Sequence, residues 1–261
     1  MVFRRMLWAM GADGPAVATT VDDATCRPGG RLAGRVRMVG GDHPVDISYL
    51  AVGLLTRVAV VTGDSEYDAT EEFHRERVAG PLRLAAGERR EFAFGLAVPH
   101  QTPLTRIRDR PLPGVTLGLR TELAVARAVD ESELEPVTVL PTPEQEQILA
   151  ALWRLGFRFA GATVERGHLY GVRQEVPFHQ EFEFVPPDRY GPGVHRLDLT
   201  FVAGPERLEL LLEIDRRGGV LTGGRDGFDR LTVDRATAAG IDWSARLDDW
   251  VRRAVDRRDR S

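Results

Sequence analysis

Hydrophobic and polar residues alternate with a period of two through most of this chain, and this pattern predicts a protein built of β-strands. Turn signals rich in proline and glycine separate the segments at intervals of about 8–12 residues, which is typical of a β-sandwich. In the first half the pattern predicts strands over residues 16–20, 31–39, 47–61, 71–78, 92–98, 115–129 and 137–140. In the second half it predicts strands over residues 158–165, 174–176, 180–185, 196–202 and 207–215.

Three segments instead have apolar residues at helical spacing, and these predict short helices. They are the N-terminal segment 2–10, the segment that follows Pro143, and the C-terminal segment 243–257. In the middle helix Thr142 is a suitable N-cap, Pro143 fits the first helical position, and Gly156 fits the end. For the last helix, the cap is predicted to be Asp242 or Ser244.

The segment Pro141-Thr142-Pro143 is the best candidate for a domain boundary, because strands end before it and a helix begins within it. The length of 261 residues suits one large domain or two medium ones. We therefore predict an N-terminal sandwich over residues 1–140. A C-terminal sandwich, with the linker helix and the terminal helix, is predicted over residues 141–261.

The most regular alternation lies between Pro177 and Pro186 and predicts a half-buried strand. One face carries Phe178, Gln180, Phe182 and Phe184. The other face carries His179, Glu181 and Glu183.

The polar face of this strand has two interpretations. An imidazole and two carboxylates can bind a divalent ion, but same-face residues of a straight strand lie roughly 7 Å apart, so that a bulge or a ligand from elsewhere would be needed. The favoured interpretation is a solvated or interdomain polar face with no metal. We predict that an interdomain polar network includes Arg158, His179, Glu181, Glu183 and Arg196.

The composition excludes some classes of function. The net charge of -4 and the pI of about 5.9 give no overall attraction for nucleic acid. All 35 basic residues are arginine, so Schiff-base chemistry and a phosphate loop with its lysine are excluded. The single cysteine, Cys26, cannot form an internal disulfide, which fits a reducing cytoplasm.

No catalytic motif is evident either. No serine lies in a Gly-x-Ser-x-Gly motif, and Cys26 has no histidine near it in sequence. We therefore expect a protein that is not an enzyme and that has no cofactor.

The N-terminal segment offers a contact surface through Phe3, Arg4, Arg5 and Trp8. It could dock on its own domain, bind a partner, or lie on a membrane surface. Its apolar part is too short for a signal peptide, and no later segment is apolar enough to span a membrane. A cytoplasmic location is the expectation.

Short motifs spread over most of the chain carry a family resemblance. They include Arg27-Pro28-Gly29-Gly30, Phe92-Ala93-Phe94, Leu155-Gly156-Phe157-Arg158 and Gln180-Glu181-Phe182-Glu183-Phe184, of which the last two are the most distinctive. In these motifs the chain resembles the bacterial sporulation-control proteins of the arrestin-like superfamily. The resemblance implies an all-β fold of two tandem arrestin-like β-sandwich domains.

The resemblance also implies a function. It implies a cytoplasmic, non-catalytic regulatory or scaffold protein that binds other proteins in bacterial development or cell-cycle control. The partners are unidentified, and a homodimer stays open. The alternative is a membrane-surface or cytoskeleton-associated adaptor that uses the N-terminal segment.

Overall fold

The structure, a computed structural model, describes residues 8–9, 14–63, 65–125, 132–190, 194–216 and 229–258. The strands in the first part of the chain are β1 (Trp8–Ala9), β2 (Ala16–Val21), β3 (Thr25–Cys26), β4 (Arg31–Val39), β5 (Val45–Thr62), β6 (Ser65–Ala79), β7 (Leu82–Leu84), β8 (Arg89–Ala97), β9 (Arg106–Ile107), β10 (Arg110–Pro111), β11 (Leu117–Val125), β12 (Ser132–Pro136) and β13 (Thr138–Val139). After helix α1 (Pro143–Arg154) come β14 (Arg158–Arg166), β15 (Phe178–Val185), β16 (Val194–Ala203), β17 (Arg207–Arg216), β18 (Asp229–Asp234) and helix α2 (Trp243–Arg258).

The chain forms two compact units. The first consists of Met1–Arg57, Thr70–Pro99 and Thr116–Val139, and the second of Val58–Ala69, His100–Val115 and Leu140–Ser261. The last segment of the second unit therefore starts beside the predicted boundary. Its two earlier segments come from within the first half of the sequence, and β5 and β6 contribute to both units.

The described part of the first unit contains two larger sheets and a small one in which β3 pairs with β13. One of the larger sheets has the strand order β1-β2-β4-β8, and in the other β11 pairs with β12 and β5. In β4 the side chains of Leu32, Val36 and Met38 are buried, while the arginines between them are exposed. The hydroxyls of Thr19 on β2 and Thr121 on β11 are 2.7 Å apart, which joins the inner faces of the two sheets.

The second unit is built on the antiparallel strands β14-β15-β16-β17-β18. The end of β5 runs parallel to β14, with Ala59 opposite Glu165. Phe178, Phe182 and Phe184 of β15 are buried in the core of this unit. The helices α1 and α2 pack against each other, and the guanidinium of Arg154 donates to the hydroxyl of Ser244.

The capping residues explain where both helices begin. The side chain of Gln145 accepts the backbone N–H of Thr142 at 2.9 Å, and Pro143 occupies the first turn of α1. Gly156 has a φ of 83°, a conformation that favours glycine at a helix end. Of the two predicted caps of α2, Asp242 accepts the N–H of Ala245.

Two predicted elements are wrong. Trp8–Ala9 form a strand paired with Val17 and Ala16 rather than part of a helix, and the rest of the predicted helix lies outside the described residues. The predicted strand over 174–176 is a loop. Here the side-chain amide of Gln174 donates to the backbone carbonyls of Gly167 and Phe178, and such side-chain bonds compete with strand pairing for backbone groups. Among the strands of five or more residues, β12 and β18 are missing from the prediction.

Candidate functional site

The polar side of β14, β15 and β16 is the candidate site. Opposite His179 of β15 stands Glu165 of β14, and opposite Glu183 of β15 stands Asp198 of β16. Directly paired residues share a face of a sheet. We call this surface the acidic face and define it by Glu165, His179, Glu181, Glu183, Arg196 and Asp198.

The register of these strands is fixed by the opposite, aromatic face of the sheet. The ring of Phe184 packs edge-on against Phe159 of β14 at 5.7 Å between centroids. The ring of Phe182 packs in the same way against Phe201 of β16 at 5.6 Å. A slip of one residue would expose these rings, so their burial holds the acids on the other side.

One end of the acidic face combines an imidazole with two carboxylates. The Nε2 atom of His179 lies 3.1 Å from Oε1 of Glu181. One ligand-type atom each from Glu165, His179 and Glu181 lies within 4.8 Å of the others. The Nδ1 atom of His179 is buried, and it has no hydrogen-bond partner in the described part of the chain.

The carboxyl group of Asp198 is the most buried acid of the face, with 5% of the residue exposed. Its Oδ2 atom accepts from Nε of Arg196 at 2.8 Å, while its Oδ1 atom is buried and finds no hydrogen-bond partner among the described residues. Burial raises the pKa of Asp198 to about 7, with Glu181 and Glu183 adding to the effect and Arg196 opposing it. This acid is therefore partly protonated near neutral pH.

Glu165 has a similar environment. Burial raises its pKa, and the negative charge of Glu181 raises it further, while His179 opposes the rise. Within the described residues its carboxylate has neither a hydrogen bond nor an ion pair.

The predicted polar residues are placed as follows. His179, Glu181, Glu183 and Arg196 lie together on the acidic face. Arg158 is exposed opposite Val185, and over the described ranges it makes no hydrogen bond or ion pair. Since these residues belong to the second unit, their predicted interdomain role stays a prediction.

Sequence reasoning missed Glu165 and Asp198. The alternation within each strand places these two acids on its polar face. The sequence does not show that β14 and β16 both pair with β15, and this pairing brings the acids to His179 and Glu183. Of the predicted N-terminal contact residues, Trp8 lies in β1, while Phe3, Arg4 and Arg5 lie outside the described residues.

The first unit contains a different charged cluster, around Glu122 of β11. This carboxylate accepts hydrogen bonds from the hydroxyl of Tyr49, from Arg75 at 2.7 Å and from Arg120 at 2.7 Å. Burial alone would raise the pKa of Glu122, but the hydrogen bonds from Arg75 and Tyr49 lower it overall. All these partners belong to the same unit.

Two further features bear on function. A cavity of about 20 Å³ in the second unit, lined in part by His100, Thr102 and Gln180, has room for one water molecule. None of the helices in the described ranges has the length and apolar character needed to cross a bilayer.

Comparisons with known proteins give consistent matches. The family described as SpoOM protein matches residues 3–218. The sporulation-control protein spo0M of Bacillus subtilis (strain 168) is 31% identical over 222 residues, which are 85% of this chain and 83% of that protein. The crystal structure of Spo0M, sporulation control protein, from Bacillus subtilis matches with a TM-score of 0.79 at 28% identity, over 94% of this chain and 98% of that one. Together with the strand-rich units, this match confirms the predicted all-β, arrestin-like fold class.

Proposed function

Because this chain belongs to the SpoOM protein family, we propose that it is a non-catalytic regulatory or scaffold protein of the sporulation-control type. It acts by binding other proteins in bacterial development or cell-cycle control. The name of the Bacillus subtilis relative supports the regulatory role. The binding mode rests on the chemistry of the acidic face.

The observation that carries the binding role is the buried Oδ1 atom of Asp198, which has no hydrogen-bond partner among the described residues. A buried carboxylate with one unpaired oxygen destabilises a fold, and replacing such groups by apolar ones often stabilises it. Features that cost stability are concentrated at functional sites. Glu181 and Glu183 of the same face stay partly exposed, so a basic surface of a partner can reach them.

The state of Cys26 supports the non-catalytic part of the proposal. Burial, and secondarily the charge of Asp23, raises the pKa of its thiol to about 11. The thiol is therefore protonated at neutral pH, whereas catalysis needs the thiolate.

The test replaces Glu181 and Glu183 together by glutamine in the chromosomal copy of the host. Glu209→Gln is the matched control, because its side chain has the same 24% exposure as Glu181 and lies in the same unit, but is paired with Arg230. Proximity labelling with quantitative mass spectrometry should show partners that are lost in the double variant and kept in the control. Equal partner sets and equal developmental timing in all three strains would refute the proposal.

The adaptor alternative stays a prediction that concerns the N-terminal segment. Liposome co-sedimentation of the full chain and of a chain lacking residues 1–7 separates it from the proposal. We expect equal, weak binding, and a loss of binding on deletion would favour the adaptor. Light scattering of the purified protein tests whether a second copy of the chain is one of the partners.

A further inference from the structure

Antiparallel pairing brings metal-ligating side chains together at the His179 end of the acidic face. A straight strand spaces the Cα atoms of His179, Glu181 and Glu183 by roughly 7 Å, and only the tips of His179 and Glu181 approach each other, to 3.1 Å. Glu165 lies directly opposite His179, and cross-strand partners have Cβ atoms about 5 Å apart. The neighbouring strand thus supplies the third ligand that β15 alone cannot.

The distances suit a single ion after small side-chain rotations. The three ligand atoms lie within 4.8 Å of one another. Around an ion with bonds of about 2.0–2.2 Å, neighbouring ligand atoms lie roughly 3.0–3.6 Å apart. All three side chains are half-buried. A change of side-chain rotamer moves a ligand atom while the backbone stays in place.

The charge of the site favours a cation. Glu165 has no hydrogen bond or ion pair over the described ranges, although Glu181 and Glu66 are close enough to raise its pKa. The imidazole of His179 is also incompletely satisfied, since its Nδ1 atom is buried without a partner among the described residues and only 11% of its side chain is exposed. Carboxylates withdrawn from water are ordinarily paired or coordinate metals, and among the described residues no arginine forms an ion pair with Glu165, although Arg196 is close enough to lower its pKa.

We propose that Glu165, His179 and Glu181 form a binding site for a divalent metal ion, and that Zn²⁺ fits it best. One imidazole nitrogen with two carboxylate oxygens is a ligand set that zinc accepts, with water completing the tetrahedron. Mg²⁺ and Ca²⁺ prefer ligand sets made only of oxygen. The ion would cross-link β14 to β15, and this inference holds whether or not the protein acts through the partners proposed above.

The test is calorimetric titration of untagged, chelator-treated protein with Zn²⁺, with Mg²⁺ as the comparison ion. We expect one Zn²⁺ per chain and a rise in Tm. Binding should weaken by about 10-fold or more in Glu165→Gln and in Glu181→Gln, since each removes a ligand. Glu183→Gln is the matched control, because it lies on the same strand and face but outside the three ligands, and its affinity should stay within about 2-fold.

Three results would overturn the inference: no zinc binding by the wild-type protein, unchanged binding by Glu165→Gln, or an equal loss in Glu183→Gln. Circular dichroism of the metal-free variants checks that they fold. The visible absorption of Co²⁺-loaded wild-type protein gives a readout that needs no variant. A spectrum of four-coordinate Co²⁺ supports the site, and the spectrum of the hydrated ion contradicts it.

Discussion

Among the described residues each unit buries one acid, but the two acids have different numbers of partners. Glu122 is 7% exposed and accepts from Tyr49, Arg75 and Arg120, and its pKa is lowered. Asp198 is 5% exposed, has one oxygen without a partner in the described chain, and has its pKa raised to about 7. Desolvation acts to raise the pKa of both acids, but only at Glu122 do the hydrogen bonds from Arg75 and Tyr49 outweigh it.

This difference separates a structural cluster from a candidate binding site. The cluster around Glu122 satisfies its own charges and so needs no ligand. The acidic face of the second unit has more negative groups than its own cations neutralise, which is the condition under which an added metal ion or a basic partner stabilises the protein.

The largest expected effect is in the first unit. Glu122→Gln should lower the free energy of unfolding at pH 7 by about 2–3 kcal/mol, because Arg75 and Arg120 lose the charge that they share. Urea denaturation measures this change. The control is Glu91→Gln, which removes an exposed partner of Arg37. If Glu122→Gln lowers the free energy of unfolding no more than Glu91→Gln does, the cluster around Glu122 is not structural.

Asp198→Asn should raise the free energy of unfolding, whereas Glu122→Gln lowers it. The folded-state pKa of about 7 lies above the ordinary value of 3.8, so the folded protein holds this proton more tightly than the unfolded chain. The contribution of this proton to the free energy of unfolding is complete below pH 3.8 and is lost as the pH rises through about 7. We expect asparagine to stabilise the protein by about 1–2 kcal/mol at pH 8, and less at pH 5. Equal differences at the two pH values would contradict this.

Removing one arginine from the acidic face and one from the cluster around Glu122 sharpens the comparison of the two acids. Arg196→Met should destabilise the protein by about 1 kcal/mol at pH 8 and by less at pH 5, because Oδ2 of Asp198 loses the hydrogen bond that Arg196 donates. Arg120→Met leaves Glu122 bonded to Arg75 and Tyr49 and therefore ionised. Its effect should not change between pH 5 and pH 8. A pH-dependent Arg120 variant would weaken the distinction.

The smallest effect is expected for Glu183→Gln. The negative charge of Glu183 is one of those that raise the pKa of Asp198. Its removal should therefore stabilise the protein at pH 8 by about 0.3–0.5 kcal/mol. The same variant should lower the pKa of Asp198, as followed by carboxyl-carbon NMR. An unchanged or higher pKa would mean that Glu183 does not act on Asp198.

The sequence predicted the parts of the fold that local pattern determines. The alternation of β4 and β15 and the cap of α1 are readable because each depends on neighbours within a few residues. The family resemblance is confirmed by the match to residues 3–218. The N-terminal helix failed at Trp8–Ala9, where pairing with β2 overrides helical spacing.

The candidate site was predicted only in part. His179, Glu181 and Glu183 share a strand, so periodicity places them on one face. Glu165 joins His179 only through the register of β14 with β15, and that register depends on the packing of Phe159 and Phe184. Contacts of this kind are set by tertiary structure and leave no local signal.

The most direct test of the contrast between the two acids is one NMR pH titration of the carboxyl carbons of Asp198 and Glu122 in the same metal-free sample. We predict a midpoint near 7 for Asp198 and a midpoint below 4.5 for Glu122. If both acids titrate below their ordinary values, Asp198 is as well supplied with partners as Glu122. The acidic face would then be a structural cluster rather than a binding site.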